Sequence, residues 1–187
     1  MEKLGNDRAI GSDPSVVVVN KGNEASSFLK FIVLNYDNMP DNVIMTHGHR
    51  KSKHNVDLVP LLRSLNLDSY PYASLNGINF PFVAESGYWE ILKLIQDVLE
   101  DVASFPAWPK TFFGVSSACC AQFMVAKKMI TRRPLKLWKK LYEYSCGGDP
   151  VTDASLPGIP NPNYSWERGR RLELSWHVLM GEPWRSR

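Results

Sequence analysis

The sequence predicts one α/β domain, a mixed or mostly parallel sheet with flanking helices, and three observations carry that prediction. "VVVVN" at 16–20 is a β-branched run with the length and composition of a buried strand. Ala25, Phe28, Leu29, Ile32, Val33 and Tyr36 then recur at helical spacing and make one apolar face. "VIM" at 43–45 follows as a second short strand. Strand, helix and strand within about thirty residues make a βαβ unit, whose crossover is right-handed.

The remaining elements follow in order. Asn23 is placed to cap the first helix, and Glu24 in its first turn suits the positive end of the helix dipole. Asn38, Pro40 and Asp41 stop that helix. "VDLVPLLRSLNL" reads as a helical turn or two broken by Pro60, and residues 68–88 read mostly as loop with a strand at "YASL". "GYWEILKLIQDVLEDVA" is a second amphipathic helix, with Trp89, Leu92, Ile95, Leu99 and Val102 on one side. "KTFFGVSSACCAQFMVA" holds two strands or one bent strand. "RRPLKLWKKLYEY" starts another helix, with Pro134 in its first turn, where a missing N–H costs nothing. A loop over 147–164 precedes the closing helix in "ERGRRLELSWHVLMG".

The totals limit the function classes. A chain of 187 residues forms one domain with a real core; we expect residues 1–15 to be disordered and 16–187 to form that domain. Apolar residues at 44% and charged residues at 22% are globular values. A net charge of +3 is too small to argue for nucleic acid. No apolar run reaches the roughly 20 residues that span a bilayer. The start of the chain has no signal-peptide h-region, which favours an intracellular setting. Cys119 and Cys120 are adjacent, with Cα atoms about 3.8 Å apart. That is below the roughly 4.4 Å at which disulfides begin. With Cys146 the count is odd, so reduced thiols are expected.

Three of the four histidines, His47, His49 and His54, crowd into "HGHRKSKH" just past the second strand. Ligands in open α/β sheets bind at the carboxyl ends of strands, so these imidazoles stand where chemistry is housed. An extended His47-Gly48-His49 sends both rings to one side, and Gly48 allows a turn that brings His54 back. Three imidazoles and an open position fit a catalytic zinc pattern; Arg50, Lys51 and Lys53 fit an exposed basic loop instead. His177 lies four residues after Glu173 on the closing helix, so a carboxylate is available to orient an imidazole there, either for catalysis or as a structural pair. Seven cations (Lys127, Lys128, Arg132, Arg133, Lys136, Lys139, Lys140) run without an acid between them. They read as the solvated face of a helix whose other face carries Leu135, Trp138, Leu141 and Tyr142, or as a phosphate-binding patch. "NKGNE" offers backbone donors near a helix start but is no P-loop.

"NKGNEASSFLKFIVLNYDNMPDNVIMTHGHRKSKH", "ACCAQFMVAKKMITRRP" and "GRRLELSWHVLMG" together resemble the three signature blocks of an uncharacterised eukaryotic family, a domain of unknown function. On that resemblance Asn20, Gly22, Glu24, His47, His49, His54, Cys119, Cys120, Gln122, Glu173, Trp176 and His177 stand at motif positions. Lys53 and Lys127 depart from the tryptophan and arginine of the pattern. Family members also carry strands ahead of the first block, where this chain has fifteen residues before Val16.

The layout is also similar to the latter part of a GT-A glycosyltransferase, a Rossmann-like fold, with His-Gly-His where such enzymes carry Asp-x-Asp. That resemblance implies a glycosyltransferase-like domain, active or inactive, binding a nucleotide sugar or other phosphate-bearing ligand at the strand end. Its expected catalytic residues are Glu173, His177 and His47. Its ligand-binding residues are Asn20, Gly22, Glu24, His49, Gln122, Lys127 and Trp176. His47, His49 and His54 are the candidate ligands of a divalent metal, manganese or zinc. The alternatives are a metal-dependent hydrolase using the histidine cluster, and a non-catalytic binding module.

Overall fold

The computed structural model describes residues 22–52, 57–76, 80–81, 115–117, 121–146, 164–181 and 185–186. The expected strand at 16–20 and the expected helix in "GYWEILKLIQDVLEDVA" lie outside them, as do Asn20, Lys53, His54, Cys119 and Cys120.

The first described element is helix α1 (Asn23–Asn35), followed by strand β1 (Asn42–Met45). Helix α2 (Leu58–Ser64) and strands β2 (Tyr72–Ser74), β3 (Phe80–Pro81) and β4 (Val115–Ser117) come next. Strand β5 (Phe123–Ala126) runs straight into the short helix α3 (Lys127–Thr131). Helices α4 (Leu135–Cys146) and α5 (Tyr164–Leu179) and strand β6 (Arg185–Ser186) complete the set.

β1, β5 and β2 form one sheet in that order, and β3, β4 and β6 form a second. Every described pairing is antiparallel: Asn42 to Met45 run against Ala126 to Phe123, and Tyr72 to Ser74 run against Val125 to Phe123. The expectation of a mostly parallel, Rossmann-like sheet is therefore corrected for these strands. The physical reason is an inserted strand. β1 and β2 point the same way, yet the late strand β5 comes between them and takes the hydrogen bonds of both.

The core lies between this sheet and the helices. α1 turns Ala25, Phe28, Leu29 and Ile32 inward, as its apolar spacing predicts, and packs on α4 and α5. Phe123 and Val125 of β5 face the same side as Val43 and Met45 of β1 and meet Leu137, Trp138 and Leu141 of α4 and Leu172 and Trp176 of α5. Phe28 meets Phe123 edge-on at 6.0 Å, and Trp176 lies 5.2 Å from Phe123. Such aromatic contacts add to the area term that dominates the core.

Three local expectations change. Asn23 does not cap α1: the cap is Gly22, in the left-handed region at φ 68°, with no side-chain cap bond. Asn23 itself has φ 53°. Pro60 does not break α2, because Asp57 caps the helix and Pro60 falls in its first turn, where no backbone donor is needed. The cationic run is not uniformly solvated: Lys128, Arg132, Lys136, Lys139 and Lys140 are exposed, but Arg133 is buried. Its Nε donates to the Leu179 carbonyl at 3.1 Å, tying the α3–α4 turn to the end of α5. Burial, then the charge of Arg132, push the Arg133 guanidinium down to about 10.

Candidate functional site

The site forms where the start of α1, the exit of β1 and the middle of α5 meet. His47 stands two residues past the end of β1, at the carboxyl end that the sequence indicates. Its Nε2 is 2.9 Å from Oε1 of Glu24 in the first turn of α1. Both side chains are largely shielded from water, at 16% and 25% exposure. Glu173, on α5, completes the group: its carboxyl hydrogen-bonds to Glu24, and Oε1 accepts from the Asn23 amide at 3.5 Å.

The three groups perturb one another in opposite senses. Burial works to raise the Glu24 carboxyl, but the hydrogen bond to His47, helped by the residue's own backbone N–H, holds it below the ordinary value. The hydrogen bond to Glu24 raises His47 against the opposing effect of burial. Glu173 goes the other way: burial first, then the charge of Glu24, push it up to about 7, with Asn23 pulling against them. One carboxylate is thus held ionised and the other titrates near neutrality, the split that separates acid and base roles in a shared site. Phe28 and Trp176, about one turn along their helices from Glu24 and Glu173, meet at a tilt with their rings 6.2 Å apart.

The residues singled out in sequence are distributed unevenly around this group. The His49 ring is 5.1 Å from that of His47, on an exposed residue. Gln122 lies at the same end of the sheet but is buried and held by Asn76: its Nε2 donates to Asn76 Oδ1 at 3.2 Å, and Asn76 Nδ2 donates to the Gln122 backbone carbonyl at 3.0 Å. Trp176 is fully buried, and its Nε1 has no hydrogen-bond partner among the described residues. His177 is buried at 3% exposure one turn beyond Glu173, whose own hydrogen-bond partners are Glu24 and Asn23. Lys127 lies at the opposite end of the sheet, following Ala126, which pairs with Asn42. There it lines an open groove of about 590 Å³ with Asp41, Asp68 and Tyr70. Gly22 packs against Ser145.

Among the described residues no three His, Cys, Asp or Glu side chains are grouped as a metal-ligand set. The basic loop after His49 is partly neutralised, because Arg50 forks onto Asp57, with Nε donating at 2.8 Å. The hydrogen bond from Arg50, with the Val59 backbone N–H behind it, holds Asp57 down at about 2. Sequence reasoning missed the pairing of Glu24 with His47 and Glu173, since 23 and 149 positions separate them. It missed Asn23 as a ligand of Glu173 for the same reason.

Sheet, helices and site make a mixed helix-and-strand fold with a carboxylate–imidazole–carboxyl group at a strand end. The chain belongs to the DUF3431 family, described as a protein of unknown function, which matches residues 6–186. No curated protein and no solved structure matches it.

Proposed function

We propose that this domain is an acid–base site of glycosyltransferase type, taking a nucleotide sugar or similar phosphate-bearing donor at the His47–His49 strand end. The observation that carries the reading is the split carboxyl pair, with Glu24 ionised on His47 and Glu173 at about 7. A general base works best with an ionisation midpoint near the operating pH, and Glu173 has it.

In this reading Glu173 takes the proton of an acceptor hydroxyl. The hydroxyl oxygen bonds to the anomeric carbon of the donor, whose bond to the diphosphate oxygen breaks. The bonding pair leaves on the diphosphate beside the His47 imidazolium. Glu24 keeps that imidazole charged, and His49 lies within reach of the same anion. Asn23 and Glu24 replace His177 as the orienting partners of Glu173.

Thermal melting of the full chain with manganese, zinc, nucleoside diphosphates and nucleotide sugars tests the reading. A ligand at 100 times its Kd stabilises the fold by about 2.7 kcal/mol, or some 5–10 °C for a chain of this size. A shift with one nucleotide sugar, lost in His47→Ala, is the expected result. A shift with zinc alone would favour the hydrolase alternative, and no shift with any of them would leave a binding module.

A further inference from the structure

We infer that Gly22 and Gly169 are positioning residues: the contact between their backbones sets α1 against α5 so that Glu24 meets Glu173. Neither glycine touches the reacting groups in this account. Their role is to let two helices approach closely where the carboxyl pair is built.

The geometry is specific at both positions. A Cβ on Gly169 would lie 2.6 Å from the Gly22 carbonyl oxygen, 2.7 Å from its carbon and 2.9 Å from Asn23 Nδ2. A Cβ on Gly22 would lie 2.6 Å from the Ser145 carbonyl oxygen, and its φ of +68° is itself unsuited to a side chain. The obstacles are mainly backbone, which cannot swing aside as the end of a long side chain does. Gly169 lies one turn before Glu173 on α5, and Gly22 lies two residues before Glu24, so the contact is directly beneath the pair. A methyl group at 169 would lift the start of α1 and draw Glu24 and Asn23 off Glu173. Glycine in mid-helix is otherwise unfavourable, which leaves close approach as its physical reason here.

Carboxyl-carbon NMR titration of the full chain tests this without a known substrate. In Gly169→Ala the Glu173 midpoint is expected to fall by a full pH unit or more, a tenfold or greater rise in its acidity constant. Gly181→Ala is the control for simple destabilisation. That glycine has φ +91°, and a Cβ there meets Arg132 and Met129, away from the pair. It should lower the melting temperature and leave the Glu173 midpoint in place. Asn23→Gly keeps a residue suited to the left-handed backbone, so it folds while removing the amide. If the glycine contact positions the pair, Glu173 stays at about 7 or rises in this variant. An unmoved midpoint in Gly169→Ala, or a fall to the ordinary carboxyl range in Asn23→Gly, overturns the inference. The second variant decides alone if Gly169→Ala does not fold.

Discussion

Replacing Glu173 by glutamine should make the protein more stable at pH 8 and leave it nearly unchanged at pH 5. A carboxyl held at about 7 in the folded chain, against 4.5 in an ordinary setting, keeps its proton on folding across that interval. The folded state then binds more protons than the unfolded state, so stability falls as pH rises from 4.5 through 7. At about 1.36 kcal/mol for each pH unit, the full interval corresponds to about 3 kcal/mol. Partial solvent screening of a residue that is not fully buried brings the expected effect nearer 2 kcal/mol. Glutamine keeps the size and hydrogen-bonding of the neutral acid and cannot ionise, so Glu173→Gln removes this contribution to the slope and leaves that of His47. Urea unfolding of both proteins at half-unit intervals between pH 5 and pH 8 measures it directly. The curves should lie within about 0.5 kcal/mol of each other at pH 5 and separate to about 2 kcal/mol at pH 8, or roughly 4–8 °C in Tm. Parallel curves, or a wild-type protein whose stability is flat between pH 5 and 8, would refute the reasoning, because Glu173 would then be an ordinary exposed carboxylate.

Two further substitutions probe other parts of the account. His47→Ala should cost about 1–2 kcal/mol at pH 6, where the imidazolium meets the Glu24 carboxylate at 2.9 Å. His47 is raised above its usual 6.5 in the folded chain, so this contribution is complete below 6.5 and fades as pH rises through the folded value. Unfolding at pH 6 and pH 9 should therefore show a smaller cost at the higher pH. Trp138→Phe should cost about 1 kcal/mol more than Trp176→Phe, as chemical denaturation would measure. Both rings are fully buried, but Trp138 Nε1 donates to the Ile130 carbonyl at 3.1 Å, whereas Trp176 Nε1 has no partner among the described residues. Equal costs would mean the Trp138 hydrogen bond contributes nothing.

The helices were legible in sequence because their buried faces repeat every three to four residues. Ala25, Phe28, Leu29 and Ile32 in α1 and Trp138 and Leu141 in α4 are buried where periodicity places them. The strand at 43–45 and the position of His47 beyond it were equally readable, since β-branched and apolar residues end abruptly at a polar motif. Sheet direction was not. Phe123, Met124 and Val125 are a continuous apolar run, all fully buried, and such a run does not say that β5 inserts between β1 and β2 and pairs antiparallel with both. Arg133 was misjudged because a charge in a run of charges reads as solvated, and only tertiary structure brings the Leu179 carbonyl to it. The site was half legible. Spacing placed Glu173 and His177 on one helix face, yet the partner that raises Glu173 is Glu24, from the other end of the chain. Helical spacing reports neighbours within an element and is silent about which element packs against it. Gly169 is a local mark of that packing, for a glycine inside a helix needs a reason.

The central claim is that Glu24, His47 and Glu173 form one proton-holding group. Titrating the side-chain carboxyl carbons and the imidazole of the unmodified chain by NMR tests it most directly. Glu173 should change state near 7, Glu24 below 4.5 and His47 above 6.5. Two glutamates titrating together in the ordinary carboxyl range, with His47 at 6.5 or lower, would contradict it.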